Sequence, residues 1–238
     1  MTLDTVPTPV DPALVADRIA EVEERLRTAS GGRTRLLPVT KAFGVDAVRA
    51  VMAAGHRAVG ENYAQELLGK ALELKDGQAA EEKDAQTAPA VEWHMIGGVQ
   101  RKKVRQLGPL VSLWQTVDRV SLVDELAKRV PGTSILVQVD PAESPDKGGC
   151  PPGDVTDLVE RATDGGLVVA GLMTVGVQDD PAATADCFAT VARLATNLGL
   201  AELSMGMTDD LDLAVDHGST MVRVGRALFG DRPPRPGA

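Results

Sequence analysis

The feature that most constrains this chain is an alternation. From Leu36 onward, short apolar runs that end in small or polar residues take turns with segments whose apolar residues recur at helical spacing. The runs cover 36–40, 58–62, 91–96, 113–117, 134–139, 167–175, 202–205 and 221–224. Helical segments follow at 45–54, 64–74, 102–107, 120–129, 154–162, 182–198 and 209–216, with a short C-terminal helix after the last run. Strands separated by helices pair in parallel, because a parallel crossover needs a long connection. Eight such units in 238 residues predict one α/β domain, a (β/α)8 barrel of the TIM type. A doubly wound open sheet is the alternative for the same alternation.

One helix precedes the alternation. Asp11 is its expected N-cap and Pro12 its first residue, Val15, Ile19, Val22 and Leu26 form its apolar face, and Gly31-Gly32 stops it. The barrel domain is therefore expected over 11–231, with a loose arm at 1–10 and an irregular, proline-containing tail at 232–238. Residues 75–90 are rich in Ala, Glu, Asp, Gln and Lys without an apolar period, and are expected to form a solvated mobile loop.

Composition narrows the partners. Hydrophobic residues make up 43% and aromatics only 3%, so the core must be aliphatic. The net charge of −9, with no basic block, argues against nucleic acid and anionic membrane as partners. An anionic ligand would then need a local site. Cys150 and Cys187 have no metal-type spacing, and neither do His56, His94 and His217, so no metal is expected. The start has no charged segment followed by an apolar run, and no apolar stretch is long enough to span a bilayer, so a cytoplasmic location is expected.

In barrels of this type the chemistry sits at the C-terminal ends of the strands. The first run ends at Thr40-Lys41. A lysine there can be desolvated into an amine nucleophile, or can simply cap a strand at the surface. The second run ends at Glu61-Asn62-Tyr63, where Asn62 can bond a ligand or cap the next helix. The loops after strands seven and eight are the usual phosphate site. Gly206, within Ser204 to Asp210, and Gly225, before Arg226, can offer backbone N–H groups to a dianion. His94 is read as a core histidine, and Asp140 with Lys147-Gly148-Gly149 as a lid.

Six stretches carry a family resemblance: Val39-Thr40-Lys41, Gly60 to Leu67, Trp93-His94-Met95-Ile96-Gly97, Gly171-Leu172-Met173-Thr174, Leu203 to Asp210, and Gly218 to Gly225. With them the chain resembles the YggS/PROSC family, the pyridoxal phosphate homeostasis proteins, whose fold is similar to the N-terminal barrel of alanine racemase. The resemblance implies pyridoxal 5'-phosphate (PLP) as cofactor, with Lys41 as its Schiff-base lysine. It implies Asn62 in the pocket, Ser204 and Thr208 in a turn near the phosphate, Arg223 facing the pyridine nitrogen, and Gly225 with Arg226 in the phosphate-binding backbone. Arg226 replaces the family's small hydroxyl residue, and Gly98-Val99-Gln100-Arg101 departs from its usual His-Leu-Gln-Asn.

The resemblance implies a protein that stores or delivers PLP, with PLP-dependent apoenzymes as recipients and no dedicated reaction. The alternative is a PLP-dependent amino-acid racemase. A two-base racemase needs an acid/base on each face of the cofactor. The second base in alanine racemase comes with a β-rich domain for which no residues are expected here. Tyr63 is a weak substitute. Monomer and homodimer stay open.

Overall fold

The structure is a computed structural model that describes residues 10–81, 90–144 and 147–231. The leading helix α1 (Pro12–Ser30) begins as its residues dictate. The Asp11 carboxylate accepts the N–H groups of Ala13 and Leu14 at 3.0 and 3.4 Å, and Gly31 ends the helix at φ 63°. Then follow β1 (Arg35–Pro38), α2 (Val45–Ala53), β2 (Ala58–Glu61), α3 (Ala64–Glu81), β3 (Glu92–Met95), α4 (Arg101–Leu107), β4 (Val111–Val117) and α5 (Val120–Arg129). The second half holds β5 (Ser134–Gln138), α6 (Val155–Asp164), β6 (Val168–Met173), α7 (Pro181–Asn197), β7 (Glu202–Ser204), α8 (Leu211–Asp216), β8 (Met221–Val224) and α9 (Arg226–Phe229).

The eight strands form one parallel sheet in the order β1-β8-β7-β6-β5-β4-β3-β2. First and last strands are neighbours, with Leu37 opposite Arg223. A parallel bridge between Val39 and Gly60 joins β1 to β2, and the Thr40 N–H donates to the Gly60 carbonyl at 3.1 Å. The sheet therefore closes on itself, which removes the open-sheet alternative.

Two apolar layers result from the strand period of two. Leu37, Val39, Leu113, Leu136, Met173 and Met221 fill the barrel interior. Leu36, Val59, Trp93, Trp114, Ile135, Leu172 and Val222 face outward against the helices. The scarcity of aromatics is met by Val, Leu and Ala throughout this outer layer.

One boundary differs from expectation by more than two residues. Helix α3 runs on to Glu81 instead of stopping at residue 74. Its last turns lack an apolar stripe but consist of Ala, Glu, Lys, Asp, Gly and Gln, and most of these extend a helix already nucleated by the packed residues before them. Residues 82–89 of the expected loop lie outside the described residues, as do 1–9 of the arm and 232–238 of the tail.

Candidate functional site at the barrel mouth

Lys41 sits two residues beyond the bridge that closes the barrel and is half-buried. Its backbone is held on both sides by α3. The Lys70 ammonium donates to the Thr40 carbonyl at 2.8 Å, and the Glu66 carboxylate accepts the Ala42 N–H at 2.7 Å. Ala42 adopts φ 69°, a left-handed conformation uncommon outside glycine. Lys70 also donates to Glu61 Oε1 at 2.5 Å, and the Thr40 hydroxyl donates to the same oxygen at 2.6 Å. Thr40 and Glu61 are wholly buried and Lys70 nearly so. Burial pushes the Glu61 carboxyl up, against the pull of Lys70 and the Thr40 hydroxyl. This buried triad locks the ends of β1 and β2 to α3, and so fixes the chain on which Lys41 stands.

Asn62 follows directly and is half-buried. Its backbone passes so close to Gly97 that a Cβ there would lie 2.0 Å from the Asn62 oxygen. Only glycine permits that approach, which sets the strand ends of β2 and β3 against each other.

Arg223 points inward from β8 and is 4% exposed. One terminal nitrogen donates to the carbonyl and hydroxyl oxygens of Ser204 at 2.7 and 2.8 Å, and the other donates to the Thr174 carbonyl at 2.9 Å. None of these three bonds uses Nε. Burial pulls the guanidinium down to about 10, partly offset by Asp210, so it stays a cation at neutral pH. Ser204 is fully buried, its hydroxyl donating to Gln115 Oε1 at 2.7 Å while it accepts from Arg223. Its side chain is thus engaged with Arg223 inside the barrel rather than at an open rim. Thr174, at the end of β6, is also fully buried, and its hydroxyl oxygen has no partner among the described residues.

The turns after β7 and β8 lie side by side. Gly206 has φ 91°, and a Cβ on it would meet the Ala214 methyl at 2.5 Å. Asp210 accepts the Met207 N–H at 2.5 Å, shaping the turn through Thr208. Asp209 and Arg226 form an exposed ion pair that ties the two turns together. The Arg226 side chain thus points outward. The first N–H groups of α9, after Gly225, have no acceptor within the helix.

The segment after β5 is strapped across the strand ends. Lys147 donates to the Gly176 carbonyl at 2.6 Å, and Gln138 donates to the Gly148 carbonyl at 2.5 Å. Asp140 accepts the Ser144 N–H at 2.6 Å. Burial pushes the Cys150 thiol up to about 12, so it is no thiolate nucleophile at neutral pH.

The expected residues thus converge on one end of the barrel, from β1, β2, β7 and β8. Sequence reasoning did not single out Thr40, Glu61, Lys70, Gln115 or Thr174. The signal for Lys70 was present, since Leu67, Lys70 and Leu74 share one helical face. Gln115 carried its signal as the inward-facing polar residue of β4, two after Leu113.

The comparisons with known proteins agree with this fold. The model of the alanine racemase N-terminal domain matches residues 14–233. A pyridoxal phosphate homeostasis protein of Pseudomonas aeruginosa is 36% identical over 234 residues, covering 92% of this chain and 96% of its own. Its counterpart in Deinococcus radiodurans is 37% identical over 222 residues, covering 92% and 98%. Among solved structures, PipY of Synechococcus elongatus with PLP bound superposes with a TM-score of 0.76 at 30% identity, over 91% of this chain and all of that one. Alanine racemase of Corynebacterium glutamicum shares the fold, with a TM-score of 0.69 at 16% identity, over 94% of this chain and 62% of its own. The protein is a barrel of the alanine racemase N-terminal-domain class. Within that class, the chain belongs to the family of pyridoxal phosphate homeostasis proteins.

Proposed function

We propose that this protein binds PLP at the barrel mouth and serves its homeostasis in the cytoplasm, holding the cofactor and releasing it to PLP-dependent apoenzymes. The residues fit the group. A buried cation on neutral partners (Arg223) and an unpartnered buried hydroxyl (Thr174) suit a polar heteroaromatic ring, and the paired turns at Gly206 and Gly225 suit a phosphate. Lys41 holds the cofactor covalently through Nζ. Asn62 and Arg223 orient its ring, with Ser204 acting through Arg223. Backbone groups around Gly206, Thr208, Gly225 and Arg226 hold its phosphate. Bound there, PLP supplies an aldehyde that links reversibly to amines and a ring that can withdraw electrons from them.

The observation that favours a carrier over an enzyme is the match in length: the chain covers 96% and 98% of two pyridoxal phosphate homeostasis proteins but 62% of an alanine racemase. Arg223 is a donor-only cation at neutral pH, held by three hydrogen bonds, and would leave a pyridine nitrogen facing it without a proton. The test is incubation of the PLP-loaded protein with each amino acid in heavy water. No sustained α-proton exchange is expected, while loaded protein restores activity to a PLP-dependent apoenzyme. Sustained exchange with one amino acid would favour a racemase instead.

A further inference from the structure

Inside the barrel, four polar side chains from four strands form a single file: Arg223 on β8, Ser204 on β7, Gln115 on β4 and His94 on β3. We propose that Gln115 and His94 are positioning residues for Arg223, acting through a hydrogen-bond chain that permits only one direction of donation. The inference rests on the cofactor reading only in what Arg223 touches. The direction of the chain is a property of the protein alone.

The direction follows from the cation. A guanidinium can only donate, so the Ser204 hydroxyl accepts at 2.8 Å, and the acceptor for its own hydrogen is Gln115 Oε1 at 2.7 Å. That turns the amide nitrogen of Gln115 toward His94 Nδ1, 3.0 Å away, and toward the Met221 sulfur at 3.2 Å. Both amide hydrogens and the amide oxygen are thereby assigned. Nδ1 must be the bare acceptor nitrogen, so His94 is held as the Nε2–H tautomer. The Nε2 edge is not stranded, because His94 lines a depression of about 870 Å3 at the N-terminal ends of the strands, beside Arg35 and Glu202. With Nδ1 protonated instead, two donors would face each other across 3.0 Å, and relief by turning the Gln115 amide would take from the Ser204 hydroxyl hydrogen its acceptor, Gln115 Oε1. A buried network with one satisfied arrangement fixes its members more tightly than separate bonds would. A residue near the barrel floor thereby helps set the orientation of one at its mouth.

Nitrogen-15 spectra of the full-length protein without PLP test the direction first. His94 is expected to show an unprotonated Nδ1 and a protonated Nε2. A protonated Nδ1, or rapid averaging of the two tautomers, overturns the proposal, and no variant is needed for this measurement. The second reading is the exchange of the Arg223 guanidinium hydrogens with water. His94→Asn keeps an acceptor near Nδ1 and should stay within about twofold of the parent, whereas His94→Leu removes it and should exchange about tenfold faster, the size of one lost buried hydrogen bond. The PLP dissociation rate is expected to follow the same order. Equal exchange in all three proteins overturns the proposal. Exchange that follows the chain in a parent protein that does not bind PLP leaves the chain standing and removes the cofactor reading.

Discussion

Lys70 donates to the carbonyl oxygen of Thr40 over 2.8 Å, from a helix to the residue just before Lys41. The same ammonium neutralises Glu61, which is wholly buried. Removing the lysine leaves a carboxylate sealed from water. Lys70→Met is therefore expected to cost about 3–5 kcal/mol of stability. Replacing Glu61 by Leu in the same protein should recover most of that loss, because no buried charge then remains. Urea unfolding of the single and double variants measures both.

His94 gives a pH dependence of defined sign. Burial, with Arg35 nearby, pulls its imidazole down to about 4 from an ordinary 6.5. Between these values the unfolded chain binds a proton that the folded one refuses, so stability is full above pH 6.5 and falls toward pH 4. The difference corresponds to ~3 kcal/mol at most. His94→Asn should lose correspondingly less over the same range when both proteins are unfolded in urea at each pH.

Gly206→Ala tests the turn after β7. Alanine is strained at φ 91°, and its Cβ would lie 2.5 Å from that of Ala214, so the turn must open. A loss of roughly 1–3 kcal/mol is expected by thermal unfolding. PLP affinity should fall by more than stability alone explains, since the backbone proposed to hold the phosphate shifts with the turn.

Arg226 offers the opposite case. Its ion pair with Asp209 is exposed on both sides and should contribute no more than about 1 kcal/mol. Arg226→Ser keeps the backbone N–H groups, so PLP titration should show an affinity within about threefold of the parent. A loss of tenfold or more would mean that the side chain, and not the backbone, meets the phosphate.

Much of this was legible in the sequence. The barrel could be read because each strand is a short apolar run closed by a polar or glycine residue, and the helix caps at Asp11 and Gly31 are local chemistry. The placement of Lys41, Arg223, Gly206 and Gly225 follows from their positions at strand ends. The triad of Thr40, Glu61 and Lys70 and the file from Arg223 to His94 could not be read in the same way. Their partners lie on different strands and on helix α3, up to 106 residues apart for Gln115 and Met221, and only the folded barrel brings them together. Ser204 shows the difference: its place at a strand end predicts a contact near a ligand, but its inward direction on β7 commits it to Arg223 and Gln115. Helix α3 outruns its apolar period, which ends at Leu74, because its last turns continue on propensity alone.

Lys41 is the proposed attachment point of PLP. Full-length protein is loaded with PLP, reduced with borohydride to make the link permanent, digested and mapped by mass spectrometry. The phosphopyridoxyl mass is expected on the peptide that carries Lys41, with loss of the visible absorbance of the loaded protein in Lys41→Ala. A stoichiometric adduct on another lysine, Lys70 or Lys147 included, or no adduct on the loaded protein, would contradict it.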